Sequence, residues 1–195
     1  MDINLAILLA MAAVWLTAGV IAEGLPGIRS ARALQRRLAI VLVLVVIGLA
    51  AMTGAGLVAL VTATPGPDQL VGALALPAVP ASAVAFVTVR RLRRLRHGAA
   101  AFATAPHVPA PPTLRAGAAH PMVALPVQLT ALGVLPAAVT AAGVLRLTGA
   151  AMIGPVLTAA AIGAAVIGVH HALRHSRLSE RAVTRSATAV HVLRV

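Results

Sequence analysis

The sequence predicts an all-α protein: a polytopic bundle of about five transmembrane helices, with its N-terminus outside and its C-terminus in the cytoplasm. Hydrophobic residues make up 60% of the chain and charged residues only 10%, whereas a soluble domain has about 45–50% and about 25%. The apolar residues form long continuous runs without the alternation of barrel strands, which favours helices. Fifteen of the sixteen arginines lie in the three segments that follow the first, third and fifth runs.

Each of the five apolar runs reaches the roughly 17–25 residues that a helix needs to cross the hydrocarbon of a bilayer. The first run is preceded by Asp2 rather than a basic cluster, and no small-residue cleavage motif ends it. We therefore expect a retained span and not a signal peptide. The predicted spans are Asn4–Ala22, Leu38–Thr62, Gln69–Val89, Met122–Leu145 and Gly149–Ala172.

The positions of the arginines predict the orientation of the bundle. The Glu23–Arg37 loop, the Arg90–Pro121 loop and the tail carry every arginine except Arg146. Five alternating crossings place these three segments on one side, which the positive-inside rule identifies as the cytoplasm. Lysine is absent, which we interpret as GC-rich bacterial coding. The expected location is therefore a bacterial inner membrane, crossed several times.

The loops divide the chain into four predicted parts. Residues 1–97 form a three-helix transmembrane half, and residues 98–120 an Ala/Pro-rich, extended cytoplasmic linker. Residues 121–175 form a transmembrane helical hairpin, and residues 176–195 a basic cytoplasmic tail. The tail pattern is loosely amphipathic, and it leaves open a helix on the membrane surface or disorder.

The residue types that are missing exclude several kinds of chemistry. The chain has no cysteine, which removes disulfides, thiolate metal sites and cysteine nucleophiles. Ionisable groups at membrane depth mark proton relays and catalytic sites, yet no acidic residue falls in the middle of a predicted span. We therefore expect neither an enzyme nor a bound cofactor. The acidic residues are Asp2, Glu23, Asp68 and Glu180.

All seven histidines lie on the predicted cytoplasmic side. His171 and His175 have the i, i+4 spacing of metal ligands on one helix face, and His97 or His120 could complete such a site. Neighbouring arginines oppose cation binding, however, and the linker histidines have no helix to orient them. The sequence therefore predicts interfacial histidines and no metal or haem site.

Prolines and polar residues inside the third to fifth spans are the predicted substrate path. A proline in a helix removes one backbone hydrogen bond, so freed carbonyls beside amide and hydroxyl side chains would line a polar cavity. In the alternative interpretation, neighbouring groups satisfy these carbonyls and the kinks are structural. The candidate path residues are Pro77, Pro80, Gln128, Thr130, Pro136, Thr140, Pro155 and Thr158.

The strongest charge cluster follows the third span and is expected to contact anionic lipid headgroups. A net charge of +12 would suggest nucleic acid in a soluble protein, but aromatic residues are only 2% of the chain and no reading module is present. Nucleic-acid binding is therefore not expected. The predicted headgroup contacts are Arg90, Arg91, Arg93, Arg94 and Arg96.

Three functions remain open from the sequence. The first is a non-catalytic subunit of a larger membrane assembly, for example a transport-related one, because small residues recur at the spacing of close helix contacts. Its partners would be membrane lipids and other membrane subunits or further copies of the chain. The second is a small oligomeric transporter or channel with a path along helices three to five. The third is a membrane redox or metal protein that uses the histidines.

Overall fold

A computed structural model of the chain describes residues 3–61, 77–105, 107–141 and 150–192. Helices account for most of these residues and none of them forms a strand, which confirms the all-α prediction. In chain order, the helices are α1 (Ile3–Gly24), α2 (Ala31–Val61), α3 (residues 77–83), α4 (Val89–Phe102), α5 (Pro112–Ala118), α6 (Pro121–Ala141) and α7 (Ala150–Val192).

Three helical stretches of the described residues are long and apolar enough to cross a membrane: Leu5–Gly27, Ala31–Val58 and Pro112–Pro136. They overlap the first, second and fourth predicted spans. The third predicted span begins outside the described residues, which resume at position 77. The fifth corresponds to the first half of α7.

Four helical segments form a closed ring with an apolar interior. Helix α1 packs against α2 and α6, α2 packs against α4, and a π-helical turn between α3 and α4, Val84–Thr88, packs against α6. Helix α7 lies outside this ring and contacts α5 and α6. The fully buried side chains of the ring include Met11, Trp15, Leu38, Val41, Val84, Val127 and Val134.

Helices α1 and α2 approach closely where a tryptophan meets a glycine. The Trp15 side chain is fully buried, and a Cβ atom added at Gly48 would lie 2.7 Å from its Cε2 atom. Any larger residue at position 48 must displace the indole group of Trp15. Helices α3 and α6 meet in the same way, because a Cβ at Gly133 would lie 2.9 Å from the Cβ of Pro77.

The π-helical turn positions a hydroxyl group for a carbonyl that proline leaves free. Pro126 has no N–H, so the carbonyl of Met122, four residues earlier, has no donor at the usual helical position. The Thr88 hydroxyl, fully buried at the end of the π-helical turn, donates to this carbonyl at 2.8 Å. The Thr130 hydroxyl donates to the Pro126 carbonyl, also at 2.8 Å. A neighbouring helix therefore supplies the hydrogen bond that Pro126 cannot give to the Met122 carbonyl.

Residues 98–120 differ from the extended linker that their Ala/Pro content predicts. Helix α4 continues to Phe102, and Pro112 begins α5, since its fixed φ suits a first helical position. Between them the chain pairs with the segment before α2: the amide of Ala31 donates to the Val108 carbonyl at 3.0 Å. The amide of Ala110 donates to the Arg29 carbonyl at 2.6 Å. The segment is thereby part of the folded bundle.

The tail continues α7 as far as Val192, so the helix has 43 residues. At 1.5 Å per residue it is about 65 Å long, twice the thickness of the hydrocarbon layer. No glycine or proline follows Gly168 to interrupt it. Of the two alternatives for the tail, the structure shows a helix, and it is continuous with the fifth apolar run.

Candidate functional site

A cluster of polar side chains joins α1, α6 and α7 at the arginine-rich end of the bundle, which we call the basic end. Its members come from three helices that are far apart in the sequence. We call it the Glu23 cluster, and it consists of Glu23, Gln128, His170, His171 and Arg174.

The link between Glu23 and Arg174 ties the end of α1 to the middle of α7. The Arg174 guanidinium donates from Nη1 to Glu23 Oε1, and also to the Glu23 backbone carbonyl at 2.8 Å. That carbonyl is among the last four of α1, which have no partner within the helix. A cation beside a helix C-terminus is also favourable. Arg174 therefore satisfies the helix end and offsets the carboxylate charge placed there.

Gln128 connects the carboxylate of Glu23 to the buried imidazole of His171. Its Nε2 atom donates to Glu23 Oε2 at 3.2 Å, and its Oε1 atom accepts from His171 Nε2 at 2.9 Å. His171 is only 3% exposed and its Nε2 atom also lies 3.3 Å from Glu23 Oε2. His170 donates to Glu23 Oε1 at 3.2 Å from a side chain that is 61% exposed. The cluster thus has a buried side and a solvent-accessible side.

A groove of about 470 Å³ extends from the Glu23 cluster along α1 and α7. Helix α6 forms its floor. All the lining side chains except those of the cluster are apolar or absent, so one end of the groove is charged and the rest is hydrocarbon-like. Outside the cluster, the lining residues are Leu16, Gly19, Val20, Ala131, Leu132, Val166 and Ile167.

The structure does not bring the predicted path residues together in this groove. Gln128 lines it. Thr130 is buried and hydrogen-bonded within α6, while Pro77 packs against Gly133. Pro80 and Pro136 are half-buried and Thr158 is exposed. The side chains of Thr140 and Pro155 lie outside the described part of the chain.

The predicted headgroup arginines lie on one amphipathic helix, α4. Its buried residues, Leu92 and Ala99, face the bundle. Helix α4 packs against α2, whose first turns carry further exposed arginines, so the two helices form a shared basic surface. Arg91 is half-buried, and the exposed arginines of α4 and α2 are Arg90, Arg93, Arg94, Arg96, Arg32, Arg36 and Arg37.

The i, i+4 histidine pair of α7 binds two different partners. His171 faces Gln128, whereas His175 donates from Nδ1 to the carbonyl of Ala116 at 3.0 Å. The His175 ring also lies 4.9 Å from the ring of His120, centroid to centroid. Within the described ranges, no group of three His, Asp or Glu side chains is arranged to hold a metal ion.

The residue that sequence reasoning missed is Glu23. Its position in the sequence indicates only an acidic residue outside the middle of a span, whereas in the structure its carboxylate contacts every other member of the cluster. A signal for it exists in the sequence, because Glu23 is a lone acid between an apolar run and an arginine-rich loop. Such a charge at a membrane boundary needs a partner.

Comparison with known proteins does not place the chain in a family. No family model, curated protein or solved structure matches it.

Proposed function

We propose that the chain is a non-catalytic subunit of a larger assembly in a bacterial inner membrane, with its basic end in the cytoplasm. Helix α7 is the docking element. The observation that carries this proposal is the position of α7: it lies outside the ring of α1, α2, α4 and α6, and only His171 and Ala182 are buried among its described side chains.

The exposed side chains of α7 are mostly apolar in the half preceding Arg174 and mostly polar or charged in the described residues after it. In the half preceding Arg174, exposed side chains such as Val169 are compatible with contact to lipid. The 17 residues from Ser176 to the end of this helix at Val192 would extend roughly 25 Å beyond the bilayer. Leu173 is 54% exposed and Val183 is 69% exposed. Of these two side chains, Val183 lies in the extension, where its exposure is compatible with contact to another protein.

The charge of this extension indicates the chemistry of its partner. Arg177 and Arg181 are exposed and lie one helical turn apart on α7. They complement a partner with an acidic cytoplasmic surface. A second copy of the chain fits less well, because it would present the same arginines and a net charge of +12.

The test is to measure the mass of the complex solubilised from native membranes, by size-exclusion chromatography with light scattering. We expect a particle larger than the 19.6 kDa chain. The double variant Arg177→Glu/Arg181→Glu should release the single chain. The matched control, Arg93→Glu/Arg94→Glu on α4, should leave the complex intact. A single chain for the wild-type protein, or a complex that survives the α7 variant, would refute the proposal.

The proposed orientation has its own test with reporter fusions. A cytoplasmic reporter fused to the C-terminus and a periplasmic reporter at Pro67 should both be active. An active periplasmic reporter after Arg96 would refute five crossings with a cytoplasmic basic end.

The other two functions have less structural support. For the transporter, Thr88 satisfies the carbonyl that Pro126 frees, and buried side chains fill the described interior of the ring. For the redox or metal protein, His171 and His175 are engaged with different partners.

A further inference from the structure

We infer that the groove between α1 and α7 binds one phospholipid, with an acyl chain along its apolar length and a zwitterionic, amine-bearing headgroup at the Glu23 cluster. This inference does not depend on the docking role of α7. It combines two observations: an apolar groove of suitable size, and a cluster at its end that contains both signs of charge.

The apolar part of the groove suits a flexible hydrocarbon chain. Its volume of about 470 Å³ is within the range of small-molecule sites, about 300–1,000 Å³. Leu16 and Glu23 mark its ends on α1, roughly 10 Å apart. Gly19 on α1 has no side chain and Ala131 on α6 has a small one, which leaves space in the groove. Water would find few polar partners along these walls.

The shape of the groove favours an acyl chain over a helix from another protein. The Glu23–Arg174 ion pair joins α1 to α7 at the basic end, where Glu23 lines the groove. A partner helix, with a diameter of about 10–12 Å, would need to continue past this bridge. A lipid needs no such passage, since its chain ends in the bilayer and its headgroup stays at the basic end.

The charges of the cluster favour a headgroup that carries both signs. Side chains of Arg174 and His170 are 31% and 61% exposed and can donate to a phosphate, and the Glu23 side chain, 35% exposed, can accept from an ammonium. Among the described residues, Glu23 and Glu180 are the acidic side chains. The exposed arginines of α4 belong to a basic surface that suits a purely anionic headgroup. The Glu23 cluster differs from that surface by its carboxylate.

The test is a lipid titration of the full chain, delipidated in detergent and followed by native mass spectrometry. The probes are phosphatidylethanolamine, phosphatidylglycerol and free phosphoethanolamine. We expect one phosphatidylethanolamine per chain, bound about tenfold more tightly than phosphatidylglycerol, the effect of one charge-assisted hydrogen bond. Free phosphoethanolamine should bind more weakly than the lipid, because it lacks the acyl chain.

Three variants separate the headgroup contact from the acyl contact. Glu23→Gln should abolish the preference between the two lipids. Val20→Trp should fill the groove and reduce binding of both lipids, and it should fold because Val20 is 73% exposed. Val43→Trp is the matched control on α2, where Val43 is 56% exposed, and it should bind like the wild type.

Four outcomes would overturn the inference. The first is equal affinity of the wild type for both lipids, and the second is undiminished lipid binding by Val20→Trp. The third is binding of free phosphoethanolamine as tight as that of the lipid. The fourth is a dimer of the wild type that Val20→Trp dissociates, which would show that a second copy occupies the groove.

Discussion

Replacing Thr88 by valine removes one hydroxyl group from a buried site and leaves the Met122 carbonyl without a donor, since Pro126 cannot supply one. A buried unsatisfied carbonyl costs about 1–3 kcal/mol, and side-chain hydrogen bonds in membrane proteins contribute on average about 0.6 and at most about 1.7 kcal/mol. We therefore expect Thr88→Val to lower the free energy of unfolding by about 1–1.5 kcal/mol.

The same substitution should cost less when residue 126 can donate. Pro126→Ala restores an N–H at the helical position for the Met122 carbonyl, so the Thr88 hydroxyl becomes redundant. In this background we expect Thr88→Val to cost about 0.5 kcal/mol or less. The assay is a double-mutant cycle, with equilibrium unfolding in mixed micelles by SDS titration and far-UV circular dichroism as the signal.

The control for this cycle is Thr53→Val on α2. The Thr53 hydroxyl is exposed and donates to the Leu49 carbonyl at 2.9 Å, which is already at the position to accept a helical backbone bond. Its loss should change stability by no more than about 0.5 kcal/mol. Equal costs of Thr88→Val with and without Pro126 would refute the reasoning, because the two positions would then act independently.

Two further predictions concern contacts between helices. Gly48→Ala should destabilise the protein by about 1–3 kcal/mol through overpacking against Trp15. Gly54→Ala is the control: a Cβ atom there would have nothing within 4 Å, so it should be neutral or stabilising by up to about 1 kcal/mol. Equal unfolding midpoints of the two variants would contradict this packing. Arg115 donates from Nε to the Pro26 carbonyl at 3.1 Å, so Arg115→Gln should speed hydrogen exchange of the α5 amides. Replacement of an exposed α4 arginine by glutamine is the control and should leave that exchange unchanged.

The ends of a helix can be predicted from the sequence where nearby residues determine them. The first predicted span, Asn4–Ala22, lies within α1 as the structure has it, Ile3–Gly24, and the run ends at a glycine and a proline. Helix α2 begins at Ala31, seven residues before its predicted span. The reason is a cap: the Ser30 hydroxyl accepts from the amide of Ala33 at 3.3 Å. A hydropathy criterion does not detect such a cap.

The folded state of residues 98–120 depends on contacts that their composition does not show. Alanine and proline suggested an extended chain, but α5 packs against α4 with two glycines at the contact. A Cβ atom at Gly98 would lie 3.0 Å from a methyl group of Leu114, and one at Gly117 would lie 3.0 Å from a methyl group of Leu95. Close packing of this kind requires a partner surface that is distant in the sequence.

The sequence alone determined that the chain is helical and has apolar runs of membrane-spanning length, because these properties depend on residue composition over one helix length. Only the tertiary structure decided which polar residues meet. Glu23 and Arg174 are 151 residues apart, and Glu23 and Gln128 are 105 apart. Whether such side chains pair depends on which helices are neighbours and how each is rotated about its axis. Both are properties of the packed bundle, since they follow from close contacts such as Trp15 with Gly48.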